Sequence, residues 1–455
     1  MQKILLIGGS GKQSSSIYLP ILVDSNRKDI NLIAIADPID PFKSKFTDKF
    51  ATQLKVSGTR WIALKNNLDE DIVILDEFLK NMECDTIIIS CPPIYHSKYV
   101  DLGLRNGLDV IVDKPVVCLP NQFGKFNAAE DLRKDYLEMV KTRNSSVHKK
   151  FKRPCMVYVP LMRRVTEPYT QITDQLSEVY RITNQSLTNM LACRSDGCYR
   201  FADEFDRPGA HGYREGLGTL TMSGYHYLDF IAACVMAAPV KGNLLESTMI
   251  NKTTVGEIRR TSQAVPFGQF LNNSSKKEDN DFVGDNAELD FSVSINIKDS
   301  HNKVPNCELL FTFIQRGCTR RVTPNYSLDT THDEGLTNDC SFIIHQGPFQ
   351  SFHTLVVQDP SNDGRISVVR RLNPLLAEKM QLPTISIQDY ALKNNENTLN
   401  NRKIIDNLLD KFTGSNQINI YDKLDINYQK LTVDLYAAVI GASVNLYSVP
   451  FELDK

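Results

Sequence analysis

The residues with the plainest chemical use lie in one short turn, Gly8-Gly9-Ser10-Gly11-Lys12-Gln13-Ser14, directly after an apolar run. Gly9 and Gly11 form a G-x-G pattern whose third small position falls on Ser14, and Gly8 offers a second register. Such a turn lets the backbone approach a pyrophosphate closely. A helix starting at the Ser14-Ser15-Ser16 run would present free N–H groups and the positive end of its dipole to the anion. Asp37 closes the next apolar run at about the spacing where a carboxylate accepts from a ribose 2′-hydroxyl. A carboxylate there repels a 2′-phosphate, and Pro38-Ile39 follow rather than an arginine, which favours NAD over NADP. A Walker-type phosphate loop is excluded, because Gly11-Lys12 is followed by Gln13 and G-x-x-x-x-G-K-[ST] does not occur.

The elements around this turn read as a parallel sheet. Residues 3–7, 31–36, 85–90 and 109–112 are short, nearly continuous apolar runs, and helical patterning separates them. Apolar runs of this kind predict strands covered on both faces in a doubly wound α/β arrangement. Residues 130–142 read as an exposed helix and 155–159 as a further strand. The second half changes character. Residues 287–295 and 308–314 alternate with period two, which predicts antiparallel strands in an α+β domain with an open, mainly antiparallel sheet. The expected division is an NAD(P)-binding Rossmann domain over residues 1–160 and a second, α+β domain over 161–455, to which the family resemblance described below assigns substrate binding and oligomerisation. The polar stretches 272–286 and 393–403 read as surface insertions, and residues 428–443 as a C-terminal helix packing back on the fold, with the first domain as its candidate partner.

Three further motifs occur in order. Ser90-Cys91-Pro92-Pro93-Ile94-Tyr95-His96 follows one strand, and the next strand ends at Asp113-Lys114-Pro115. Downstream lies Gly216-Leu217-Gly218-Thr219-Leu220-Thr221-Met222-Ser223-Gly224-Tyr225-His226-Tyr227-Leu228-Asp229. With the glycine turn, these segments resemble the Gfo/Idh/MocA family of oxidoreductases, as does the run of residues 157–164 with its paired arginines. The resemblance implies that Lys114 contacts both nicotinamide ribose and substrate, that the peptide before Pro115 is often cis, and that His226 relays the proton of the hydroxyl being oxidised. It also implies cofactor contacts at Gly8, Gly9, Gly11, Lys12, Gln13, Ser14, Asp37, Cys91, Pro92, His96 and Asp113. Substrate contacts are expected at Arg163, Thr221, Met222 and Tyr225, and a homodimer or homotetramer through the second domain's sheet.

One position departs from the pattern. The family's catalytic aspartate stands one helical turn before the histidine, and here that residue is Met222, which cannot accept a useful hydrogen bond or move a proton. The leading reading is an NAD(P)-dependent oxidoreductase acting on a hydroxyl-bearing carbon of a sugar, cyclitol or related small molecule. Its rivals are a cofactor-binding sensor or biosynthetic accessory without dehydrogenase turnover, and an NAD-assisted lyase or glycosidase. Cys193, Cys198, His211 and His226 match no compact zinc pattern, so no metal is expected, and no G-x-S-x-G elbow supports a serine hydrolase.

Composition narrows the classes further. The 455 residues are 42% hydrophobic and 23% charged, a globular balance with enough apolar material for more than one core. With 52 basic against 54 acidic residues there is no basic excess for nucleic acid, and Lys149-Lys150-Phe151-Lys152-Arg153 reads as a solvated surface run. No run approaches about 18 apolar residues, so no membrane span is expected. Ten cysteines spread thinly, with no export signal, predict reduced thiols and a cytoplasmic protein.

Overall fold

The computed structural model describes residues 1–44, 47–196, 212–260, 286–301, 304–315, 338–358, 364–392, 396–413 and 419–453. The chain divides into two compact units and crosses between them several times, where the sequence predicts a single boundary near residue 160. The first unit comprises Met1–Cys118, Leu132–Val165 and Asn395–Lys430. The second comprises Leu119–Asp131, Thr166–Asn394 and Leu431–Lys455.

The first unit is built on β1 (Gln2–Ile7), β2 (Ile30–Asp37), β3 (Arg60–Ala63), β4 (Thr86–Ile89), β5 (Asp109–Val112) and β6 (Val157–Tyr158). All pair in parallel in the order β3-β2-β1-β4-β5-β6, the doubly wound arrangement of dinucleotide-binding domains. β4 and β5 are buried along their whole length, which is why they read as unbroken apolar runs. β3 escapes sequence reading because Arg60-Trp61-Ile62-Ala63 is a mostly exposed edge strand without such a run.

One surface reading is corrected. Residues 396–403 do not form a loop; they open the helix Glu396–Thr413, while 393–395 lie outside the described residues. The asparagine-rich first turns conceal an apolar stripe that begins later, at Ile404, Ile405, Leu408, Leu409 and Phe412, all buried. Arg27 bridges Asp406 and Asp410 on this helix, and Arg402 Nε donates to Ser16 O at 2.6 Å, so the helix braces the segment following the glycine turn. The basic run is exposed over residues 149–152, as expected of a solvated surface run, and is anchored at two of its residues. Arg153 donates to both oxygens of the buried Asp109 carboxylate at 2.9 and 2.6 Å, and Lys150 Nζ lies 3.0 Å from Asp85 Oδ2. Of the other expected insertion, residues 272–285 lie outside the described residues.

The second unit carries a nine-stranded sheet with β7 (Asn189–Asp196), β8 (Leu244–Thr254), β9 (Glu288–Lys298), β10 (Cys307–Ile314), β11 (Asn338–Gln346), β12 (Gln350–Gln358), β13 (Gly364–Leu372), β14 (Ile385–Leu392) and β15 (Tyr447–Pro450). Only the β7–β10 pair is parallel. Its order is β14-β13-β12-β11-β7-β10-β9-β8-β15. The inward-pointing residues Phe291, Phe311, Phe313 and Phe342 are buried. Against them lies the helix Tyr225–Ala237, with Tyr227 stacked on Phe342 at 5.7 Å and Phe230 edge-on to it at 5.0 Å. The alternate residues form a cross-strand row, Ile387, Val369, His353, Ile343, Leu191 and Leu310, on the opposite face.

The helix Lys430–Ala442 packs within this unit, where Thr432 Oγ1 donates to the buried Asp229 at 2.9 Å. No helix among the described residues is long and apolar enough to cross a membrane. The described cysteines are free thiols.

Candidate functional site

The glycine turn follows β1 directly. Gly8 adopts φ +85°, and a Cβ there would lie 2.3 Å from Ser90 O, so the close approach of this turn to the end of β4 requires glycine. Gly9 is buried beneath Ile35, whereas Gly11 and Gln13 are exposed and Lys12 is half-buried. Ser14, in the third small position, is fully buried and its hydroxyl donates to Gly8 O at 2.6 Å, closing the helix start onto the strand end as a small residue must. The helix opens with a π turn over Ser14–Tyr18, a widened geometry that recurs at functional sites. Open space beside Gly11 at a helix start following a parallel strand suits a pyrophosphate, so these residues fit a dinucleotide.

The Lys114 turn is held from three sides. Asp113, at the end of β5, accepts from the Tyr18 hydroxyl and from Ser90 Oγ, the latter at 2.8 Å. Burial raises the Asp113 pKa, and these two donors together with His96 and Lys114 oppose the rise. The Lys114–Pro115 peptide is cis. Pro115 O lies 2.8 Å from His96 Nδ1, and His96 Nε2 lies 2.9 Å from Cys91 O, so the ring ties the loop after β4 to the turn after β5. His96 is only 1% exposed and burial lowers its pKa. His96, an expected cofactor contact, is thus a buried ring with a backbone carbonyl beside each nitrogen, and it positions the two loops relative to each other. Pro92 is exposed, Cys91 and Lys114 are half-buried, and Arg163 is half-buried in the short helical turn Met162–Arg164.

In the second unit, the helix bearing His226 also begins with a π turn, Leu220–Gly224. Met222, Ser223 and His226 are its half-exposed residues in this region. Thr221 and Tyr225, both expected substrate contacts, are fully buried. Thr221 Oγ1 accepts from Gln122 Nε2 at 2.9 Å and lies 2.9 Å from the Tyr436 hydroxyl, and Tyr225 packs edge-on to Tyr436 at 5.4 Å. Sequence reading missed Ser223, the hydroxyl nearest Met222 on the half-exposed stripe, though helical spacing from His226 could have found it. It also missed Tyr18, Ser90, Gln122 and Tyr436, whose partners are remote in the chain.

Glu288, the first residue of β9, supplies the start of this helix with a carboxylate. Its side chain is fully buried and accepts from Gly218 N at 3.1 Å and Thr221 N at 3.3 Å. Burial outweighs these N–H donors and pushes its pKa up to about 7. The folded state thus binds a proton that the unfolded chain releases at ordinary carboxylate pH. The contribution to stability is complete below about 4.5 and is lost as pH rises through about 7. Glu288→Gln cannot titrate. Thermal melts from pH 5 to 8 should therefore show the variant gaining on the wild type by about 1–3 kcal/mol. A stability difference independent of pH would show that Glu288 does not titrate in this range.

Among the described residues no group of three or more His, Cys, Asp or Glu side chains is placed to hold a metal, and Cys198 and His211 lie outside the described residues.

Residues 3–137 match the family model described as the Gfo/Idh/MocA oxidoreductase family, NAD-binding Rossmann fold. No curated protein sequence matches. Among solved structures, the transcriptional regulator Gal80p from Kluyveromyces lactis is 12% identical with a TM-score of 0.56, covering 97% of this chain and 92% of its own. The WlbA dehydrogenase from Bordetella pertussis, in complex with NADH and UDP-GlcNAcA, is 14% identical with a TM-score of 0.53, covering 100% and 98%. An oxidoreductase from Agrobacterium radiobacter, in complex with NAD+, L-tartaric acid and magnesium, is 12% identical with a TM-score of 0.51, covering 99% and 98%. At these identities the structures share the fold alone. The glycine turn, β2 to β5 and the Asp113-Lys114-Pro115 segment lie within the matched range, so residues 3–137 are similar to the NAD-binding Rossmann fold of the Gfo/Idh/MocA oxidoreductase family.

Proposed function

We propose that the protein is an NAD-dependent oxidoreductase that moves hydride between the nicotinamide and a hydroxyl-bearing carbon of a sugar, cyclitol or related small molecule. NAD, when bound, supplies the hydride acceptor. Lys114 donates a hydrogen bond to the substrate oxygen and stabilises the negative charge that grows there as hydride leaves. His226, half-exposed on its helix, takes the hydroxyl proton, a role that an imidazole side chain can fill as a general base. The observation that best supports this reading is the lysine turn itself. Tyr18, Ser90 and His96 fix the residues on either side of Lys114 in the unit that binds the dinucleotide. Incubation with NAD+ and a panel of polyols, sugars and amino sugars should raise the reduced-nicotinamide absorbance with at least one of them.

Met222 favours a second reading, a protein that binds NAD without turnover and acts as a sensor or accessory. A thioether cannot serve as the carboxylate that accepts a proton beside His226. The fold shared with Gal80p, described as a transcriptional regulator, is compatible with it. Saturable NAD+ binding with no absorbance change across the whole panel would establish this second reading over the first.

A further inference from the structure

Asp37 is the acid on which the adenosine ribose would be read, and the chain already occupies its carboxylate. Ser10 Oγ donates to Oδ1 at 2.5 Å, Ser10 N donates to Oδ2 at 3.0 Å, and Ile39 N donates to Oδ1 at 2.8 Å. Asp37 is only 5% exposed. Ser10 is held from its other end too, because Ser44 Oγ donates to Ser10 O at 2.8 Å. An ionised carboxylate offers about four lone-pair sites, and three chain donors use most of them.

We propose that Ser10 is an affinity-determining residue: its hydroxyl competes with the ribose hydroxyls of NAD for the Asp37 carboxylate. The proposal rests on the NAD-binding reading and deepens it. Full engagement of the ribose then exchanges one O–H···O⁻ bond for another and gains little. If Oδ1 were free, the same ribose bond would be formed without displacing a partner. Hydrogen bonds to charged groups are the stronger kind, so the exchange is felt in affinity. Ser10 N would keep its bond to Oδ2 after loss of the hydroxyl, so the substitution acts on the competitor and leaves the turn's backbone tie in place.

The test is a titration of Ser10→Ala with NAD+ and NADP+ by calorimetry. Trp61 gives a second readout, since it is the chain's single tryptophan and its indole N–H donates to Asp37 O at 2.9 Å. Ser10→Ala should bind NAD+ roughly tenfold more tightly than the wild type. NADP+ should gain nothing, because the carboxylate that is freed repels its 2′-phosphate. Ser10→Gly removes the same hydroxyl and carries the test if the alanine variant does not fold. Unchanged or weaker NAD+ binding in a folded variant overturns the proposal. So does equal tightening of both cofactors, which would report a loosened turn. Failure of wild type and variants alike to bind NAD+ removes the cofactor reading on which the proposal stands.

Discussion

Lys114→Ala should lower turnover by about 10² or more while weakening NAD+ binding by no more than about tenfold. The separation between the two effects follows from how the turn is held. Asp113 is fixed by Tyr18 and Ser90, and Pro115 O faces His96, and none of these contacts uses the lysine side chain. Truncation at Cβ therefore keeps these hydrogen bonds and removes the ammonium group. If that group stabilises the oxygen as hydride leaves, the loss appears in kcat and in kcat/KM together, because the interaction is made most strongly in the transition state. A substrate that reduces NAD+ in the absorbance screen provides the assay, with calorimetry for cofactor affinity. Undiminished turnover in the folded variant would remove Lys114 from the chemistry.

Gly218→Ala should be among the most destabilising single substitutions in the second unit, at about 3 kcal/mol or more, with a fall in Tm of roughly 10 °C. A Cβ on Gly218 would lie 1.9 Å from Glu288 O and 2.6 Å from Glu288 N. Both atoms belong to the backbone of β9, so no side-chain rotation relieves the overlap. The neighbouring contacts stop the helix start from withdrawing. Gly218 N and Thr221 N donate to the Glu288 carboxylate, and Thr219 Oγ1 donates to Leu289 O at 3.1 Å. Separating the two segments would leave a buried carboxyl without its donors. Differential scanning calorimetry measures the effect, and a Tm within about 2 °C of the wild type would show that β9 and the helix start can part at little cost.

Much of the first unit was legible in the residues. Strands buried on both faces must be apolar along their length, so β1, β2, β4 and β5 stand out as unbroken runs, and the glycine turn follows the first of them. Edge strands carry no such requirement. β3 and β14, exposed at the margins of their sheets, gave no periodic signal. The helix Glu396–Thr413 was hidden for a related reason, since its buried stripe starts only at Ile404, behind a polar first section.

Within the candidate sites, sequence by itself determined residue identity and local spacing: the glycines at a strand end, Lys114 before Pro115, and Met222 one turn before His226. Tertiary structure alone decided how exposed each of these side chains is and what it bonds to. It turned Thr221 and Tyr225 into the core, enclosed His96 between two backbone carbonyls, and set Ser10 on Asp37. It also brought Glu288 to the start of the His226 helix from a strand far along the chain. The physical reason is that spacing along one element fixes only the face a residue shares with its neighbours. Burial and hydrogen-bond partners depend on what packs against that face, and here the partners come from elements distant in sequence.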